Sequence, residues 1–230
     1  MEKLYMLHGF MGTARTHFQH QISYFEDRYE LIILDLPGHG DSIIEASDNY
    51  IDHTLQSLYS MMNEKGEGYI LGLSLGASLA IHIALQKPKL VKGVILTGYS
   101  PYIPQELEEV MEKQNDYLLH LEENDIEIAQ HFIQLHGDKW KETIQKVIHT
   151  MTYNYPGVTK EELQSLKVPV LTLNGSLDCH EVGSVAYIKN SNPDIEVGLI
   201  PNAGHTANMD EPDIFNSTVQ RFLDRIGQSL

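Results

Sequence analysis

Cysteine is nearly missing from this sequence: Cys179 is the only one in 230 residues. No intrachain disulfide can form, and no zinc site built on several thiolates is possible. Basic residues are scarce as well, with 16 Lys and Arg against 32 Asp and Glu and a formal charge of −16 at pH 7. Coating phosphates takes Lys and Arg, so neither nucleic acid nor an anionic membrane surface is an expected partner. Long apolar runs are missing too, since no segment approaches the ~18 consecutive residues that span a bilayer. The opening MEKLYMLHGFMG has no basic region ahead of an apolar core and runs directly into strand-like sequence. A lone thiol suits a reducing compartment, and a cytoplasmic location is the expectation. Repeats and low-complexity tracts are absent.

What is present is a core. Hydrophobic residues make up 42% of the chain, enough for one globular domain with a modest insertion. Six short apolar runs stand out: 4–9, 31–38, 69–74, 93–98, 169–175 and 196–204. They are continuous rather than alternating, as strands covered on both faces are. Helix-compatible segments at 16–25, 51–65, 77–86, 182–189 and 213–226 separate or follow them. The pattern predicts an α/β fold with a mostly parallel six-stranded sheet flanked by helices. Residues 101–166 break the rhythm with charged, helix-favouring sequence, read as three helices with a stop and restart at Gly137 and Asp138. About 65 residues is too long for a plain loop. The expected organisation is a core of residues 1–100 and 167–230, with 101–166 inserted after the fourth strand as a helical cap.

The third run leads into Gly72-Leu73-Ser74-Leu75-Gly76, a G-x-S-x-G motif with a strand before it and a helix after it. So tight a corner strains the serine backbone and leaves no room for side chains beside it. Such a serine needs a base to take its proton and an acid to orient the base, in chain order Ser, Asp/Glu, His. Asp178 follows the fifth run and His205 follows the sixth, both at strand exits on the edge that carries Ser74. The fourth run's exit, LTGYSPY, offers no carboxylate. The Phe10 amide, after His8-Gly9, and the Leu75 amide are the candidate oxyanion donors. His8 reads mainly as a loop-bonding histidine and otherwise as a pocket residue. Tyr102, Tyr117, Phe132, Leu135 and Trp140 are candidates for an apolar pocket under the cap, with helix-core packing as the alternative fate. The cap histidines His120, His131, His136 and His149 lack metal-ligand spacing, and neither a metal nor a cofactor is expected.

With these residues placed, the chain resembles a compact α/β-hydrolase over nearly its whole length. LHGFMGT, DLPGHGDS, GLSLGAS, NGSLD and GHTANMDEPDIFNSTVQRFL fall in the order and spacing of that family. The resemblance implies Ser74 as nucleophile, Asp178 as acid, His205 as base and Phe10 and Leu75 as oxyanion amides. Two departures stand out. The chain starts at the strand that is third in the family, so six strands replace eight, and Gly76-Ala77 replaces the frequent Gly-Gly. The implied activity is hydrolysis of small to medium carboxylic esters through an acyl-enzyme. Alternatives within the family are a menaquinone-pathway synthase-like lyase, a lactone or C–C bond hydrolase, and a non-catalytic ligand receptor. The lyase reading expects an arginine four positions after the serine, where this chain has Ser78.

Overall fold

The computed structural model describes residues 1–228. Six strands form one sheet: β1 (Lys3–Leu7), β2 (Glu30–Ile33), β3 (Gly68–Leu73), β4 (Val91–Thr97), β5 (Val170–Gly175) and β6 (Glu196–Ile200). Their order is β2-β1-β3-β4-β5-β6 and every pairing is parallel. Around the sheet run α1 (Ala14–Phe25), α2 (Tyr50–Lys65) and α3 (Leu75–Gln86), and later α9 (Cys179–Ser191), α10 (Ala207–Asp210) and α11 (Pro212–Gly227). Between β4 and β5 the chain is helical: α4 (Glu108–Leu119), α5 (Leu121–Asn124), α6 (Ile126–His136), α7 (Trp140–Tyr153) and α8 (Lys160–Ser165).

The continuous apolar runs follow directly from the packing. Along β1, Tyr5 and Leu7 enter one core while Leu4 and Met6 enter the other. Along β4, Val94 and Leu96 face the first core and Ile95 the second. Side chains alternate across a strand, so a strand with cores on both faces is apolar at every position. The first core is closed by α2 and α3, the second by α1 and α11. Helix α3 is buried nearly all round, which matches its Ala- and Leu-rich sequence.

A third, smaller cluster belongs to the helical segment. Leu121, Ala129, Trp140, Ile144 and Ile148 pack with Met11 from the main body, and Phe132 lies against them. The expected restart at Gly137 is present, with Gly137 at φ 64 closing α6 before α7 begins at Trp140. Helices α5 and α8 are additional to the three read from the sequence. Thr159 starts α8 with a capping box, its side chain on the Glu162 amide and Glu162 on the Thr159 amide. No helix among the described residues is long and apolar enough to cross a membrane.

Strands β2 and β6 end four or more residues before their apolar runs do. Strand β2 ends at Ile33 because Asp35 turns away to accept the amides of Ala14 and Asp41, and Pro37 has no N–H to give a ladder. Strand β6 ends at Ile200. The sheet order fixes where a ligand belongs. From β1 the chain moves outward to β2, then returns to the other side of β1 as β3 and continues away. The loops leaving β1 and β3 therefore diverge, and a crevice opens between them at the carboxyl ends of the strands. Gly9, Phe10 and Ser74 are among the residues that border it.

Candidate active site

Ser74 joins β3 to α3 with φ 54 and ψ −114, a conformation that side-chain-bearing residues rarely adopt. Its amide donates to Thr97 O at 2.9 Å, tying the corner to the end of β4. A Cβ at Gly76 would fall inside the van der Waals shell of the Leu7 carbonyl, and one at Gly72 would strike the Gly76 carbonyl. Both glycines are thus required by close backbone approach, and α3 is pressed against β1 as it leaves the serine.

A cavity of about 540 Å³ opens over this corner. Gly9, Phe10, Ser74, Asp178, Glu181 and His205 all border it. His205 lies in the loop after β6, its ring against Gly98. Ser74 and His205 thus face one cavity from separate loops; among the described residues no hydrogen bond joins the hydroxyl to the imidazole.

The carboxylate that meets His205 differs from the expected one. His205 Nδ1 and Glu181 Oε1 are 2.5 Å apart, a hydrogen-bonded pair. Asp178 is instead the N-cap of α9, its Oδ1 accepting the amides of His180 and Glu181 at 2.9 and 3.0 Å. The assignment of Asp178 as the partner of the imidazole is therefore corrected to Glu181. The physical reason is local: Asp178 sits where a helix start leaves amides unpaired, and Glu181, one turn in, is free to point at the loop after β6. The sequence did carry a signal, because D178-C-H-E181 has the N-cap and N3 spacing of a helix start. Asn174, fully buried at the end of β5, fixes the neighbourhood by accepting Tyr99 N–H and donating to Tyr99 O and Glu181 O.

Burial pushes the Glu181 carboxyl upward, and its bond to His205 offsets only part of that. Its second oxygen is buried, with no hydrogen-bond partner among the described residues. For His205 burial acts downward, but the hydrogen bond and charge of Glu181, with Asp178 adding, outweigh it, and the imidazole titrates above its ordinary value.

Of the two oxyanion candidates, Phe10 borders the cavity with Ser74, and Leu75 is buried as the first residue of α3, whose amide has no intrahelical acceptor. The candidate pocket residues lie elsewhere. His8 is fully buried and bonds Gly9 O and Leu36 N–H rather than lining the cavity. Tyr102 packs edge-on against Tyr187, and Tyr117 lies at the outer surface near Asp125. Phe132 and Trp140 belong to the cluster around Met11. The cavity wall is made instead by Ile103, Leu107, Met111, Ile148, Met151 and Tyr155. Leu107 and Met111 are one helical turn apart, as are Ile148 and Met151, so two helix faces meet over Ser74. That spacing is visible in the sequence; which face turns inward is not. Burial pushes the Tyr155 hydroxyl up to about 12, and it donates to Ser100 O at 2.7 Å. Of the four histidines in the helical segment, His136 is buried and both its ring nitrogens bond backbone groups of the main body.

Residues 3–126 match the model of a family described as alpha/beta hydrolase fold. The chain belongs to the alpha/beta hydrolase fold family. The crystal structure of NosK from Streptomyces actuosus superposes with a TM-score of 0.91 at 30% identity, covering 98% of this chain and 99% of that one. The structure of MenH from S. aureus gives a TM-score of 0.78 at 23% identity, over 98% and 94% of the two chains, which is a likeness of fold. An uncharacterized carboxylesterase, nap, of Bacillus subtilis is 26% identical over 96% of this chain and 79% of its own length. Within this alpha/beta hydrolase the parallel sheet, the serine corner and the histidine loop lie where the sequence places them; the carboxylate that meets His205 and the residues that line the cavity are what the structure changes.

Proposed function

We propose that this alpha/beta hydrolase is a serine esterase that cleaves neutral carboxylic esters of small to medium size through an acyl-enzyme. The observation that carries the reading is Ser74, held in a strained backbone at the sheet's switch point and facing the same cavity as the His205–Glu181 pair. His205 Nε2 takes the hydroxyl proton as Ser74 Oγ bonds to the carbonyl carbon, and the carbonyl electron pair moves to oxygen. The Phe10 and Leu75 amides receive that oxyanion. Glu181 accepts the Nδ1–H, keeps the imidazole in the tautomer whose Nε2 can act as base, and stabilises its charged form. Collapse of the intermediate expels the alcohol, which takes the proton from His205. A water activated by His205 then releases the acid and restores the serine.

The helices between β4 and β5 act in this reading as a cap that supplies an apolar wall. Among the described residues no Lys or Arg lines the cavity, and Asp178 and Glu181 do, so the site disfavours anionic substrates. This weighs against a lyase acting on a polyanion: Ser78, where that reading expects arginine, is buried, and none of the four arginines borders the cavity. The deciding experiment is mass spectrometry after treatment with a fluorophosphonate, together with burst kinetics on p-nitrophenyl acetate and butyrate. Labelling at Ser74, a burst followed by steady turnover, and loss of all three in Ser74→Ala are expected. A single burst without turnover would make the protein a ligand receptor, and absence of labelling would remove Ser74 as nucleophile.

A further inference from the structure

Between Gly9 and Ala14, in the loop after β1, all but one of the backbone amides are occupied. Gly9 N–H donates to His17 Nδ1 at 3.1 Å, Met11 N–H to His39 Nε2 at 3.3 Å and Gly12 N–H to Gly9 O at 3.5 Å. Thr13 N–H donates to Thr16 Oγ1 and Ala14 N–H to Asp35 Oδ1, both at 2.8 Å. Phe10 is the exception: no acceptor among the described residues takes its N–H. The carbonyls on either side are held as well, Gly9 O by His8 Nδ1 at 2.7 Å and Met11 O by His136 Nε2 at 3.1 Å. In a trans peptide the C=O and N–H point in opposite directions, so anchoring Gly9 O inward aims Phe10 N–H outward.

Gly9 is the soft point of this arrangement, because a residue without Cβ has the widest choice of φ and ψ. It is a glycine for cause, since a Cβ there would lie 3.3 Å from Ser74 Cβ and 3.4 Å from His17 Cε1. Two imidazoles remove the freedom, His17 on its N–H and His8 on its C=O. His17 differs from the other histidines around the loop in bordering the cavity. Helix α1 breaks at the very next residue, Phe18, with φ −123 and ψ 19, and the His17 carbonyl is taken by the fully buried Asn208 Nδ2 at 2.7 Å. An interrupted helix needs a local cause, and here a side chain enters the ladder where His17 turns toward the loop.

We propose that His17 is a positioning residue for the transition state: by accepting Gly9 N–H through Nδ1 it locks Gly9 and holds Phe10 N–H as the free donor to the oxyanion. The role requires the Nε2–H tautomer of a neutral ring, because a protonated imidazole has no lone pair to accept with. Burial keeps His17 neutral, lowering it to about 4, with His205 and His136 acting in the same direction. The inference rests on the esterase reading above, through Ser74 and Phe10.

Three substitutions separate positioning from packing. Asn places its carbonyl oxygen near the site of Nδ1, Gln places its amide near Nε2, and Leu offers no acceptor. The expected result is a kcat lower by about 10- to 100-fold in His17→Leu and His17→Gln, with KM within about threefold of the parent, and recovery to within about threefold in His17→Asn. The rate of Ser74 phosphonylation should follow the same order. Nitrogen-15 spectra of the unaltered protein should show His17 with Nδ1 unprotonated and Nε2 protonated, a readout that survives if a variant fails to fold. Equal kcat in all three variants, equal losses in all three, or an Nδ1–H tautomer would overturn the proposal. If the parent protein itself is not phosphonylated at Ser74, the esterase reading falls first and takes this inference with it. Labelling of the parent with no change in the variants removes only His17.

Discussion

His205 meets Glu181 at 2.5 Å, while Asp178, three residues earlier on the same polypeptide, caps the helix that carries Glu181. The two carboxylates therefore have separable jobs. Glu181→Gln keeps the size and removes the charge, and it allows the imidazole to adopt the wrong tautomer. The expected loss in kcat for ester hydrolysis is about 10²- to 10⁴-fold. Asp178→Asn retains a good N-cap and should stay within a few-fold of the parent, while Asp178→Ala should lower stability by about 1 kcal/mol with little change in kcat. Steady-state kinetics with urea unfolding on the three variants decides the assignment. Greater damage from Asp178→Asn than from Glu181→Gln would return the acid's role to Asp178.

The pH profile follows from the same pair. His205 acts as base only when neutral, and its imidazole titrates above the ordinary 6.5. The acid limb of kcat/KM should therefore inflect above pH 6.5, with activity rising as the proton leaves. Removing the Glu181 charge withdraws the main upward influence, so in Glu181→Gln the residual activity should have its inflection at lower pH. Rates between pH 5 and 9 on a neutral nitrophenyl ester test this, and a limb unmoved by the substitution would show that another group controls it.

Gly98 sets the seat of the His205 ring. It has φ +56, and a Cβ there would come 2.6 Å from the His205 carbonyl and 3.1 Å from its Cε1. Gly98→Ala should push the histidine loop away from Ser74 and lower kcat about 10- to 100-fold, the scale of a misplacement near 1 Å. Phosphonylation kinetics and a thermal melt distinguish this from global unfolding. Undiminished kcat in a folded variant would mean that the loop can yield without cost.

Ser74 and His205 are legible in the sequence because each follows a short apolar strand, and glycines at 72 and 76 leave the serine only a tight corner to occupy. The sheet is legible for a related reason: Leu4, Tyr5, Met6 and Leu7 are apolar on both faces. The D178-C-H-E181 spacing marks Asp178 as the start of a helix, but that Glu181 points from its first turn at the loop after β6 depends on how the helix docks. The aromatic residues Trp140 and Phe132 are as apolar as any pocket wall, but they close the helical segment around Met11. The wall that does form uses Leu107, Met111, Ile148 and Met151, selected by how the helices dock rather than by composition.

Acid should destabilise the fold through its buried histidines. His8 is fully buried, and burial lowers it to about 4, with the Gly9 carbonyl bond opposing. In the unfolded chain it titrates near 6.5. The unfolded state therefore binds more protons between these values, and the stabilisation is complete above pH 6.5 and is lost as pH falls toward 4. His8 alone withdraws on the order of 3 kcal/mol by about pH 4. The large net negative charge acts the other way, because protonating carboxylates relieves repulsion. Urea unfolding at about pH 7, 5.5 and 4.5 should show stability falling with pH, and His8→Leu should be weaker at neutral pH but flatter across the series. Parallel slopes would remove His8 as a contributor.

The charge of the cavity gives the last prediction. Its wall carries apolar side chains from the helical segment and two carboxylates, with no Lys or Arg among the described residues. A substrate bearing its own carboxylate would bring like charge toward Asp178 and Glu181 without a cation to receive it. At separations near ~6 Å and an effective dielectric of about 20, one such repulsion is on the order of 3 kcal/mol, and solvent entering an open cavity reduces it. Matched nitrophenyl butyrate and hemisuccinate esters should therefore differ by at least about tenfold in kcat/KM, in favour of the neutral ester, with the gap narrowing as salt is raised. Met111→Arg, on the wall, should shrink the gap by improving the hemisuccinate. Preference for the hemisuccinate in the parent protein would mean that a cation reaches the site when substrate binds, and that the neutral-ester reading is wrong.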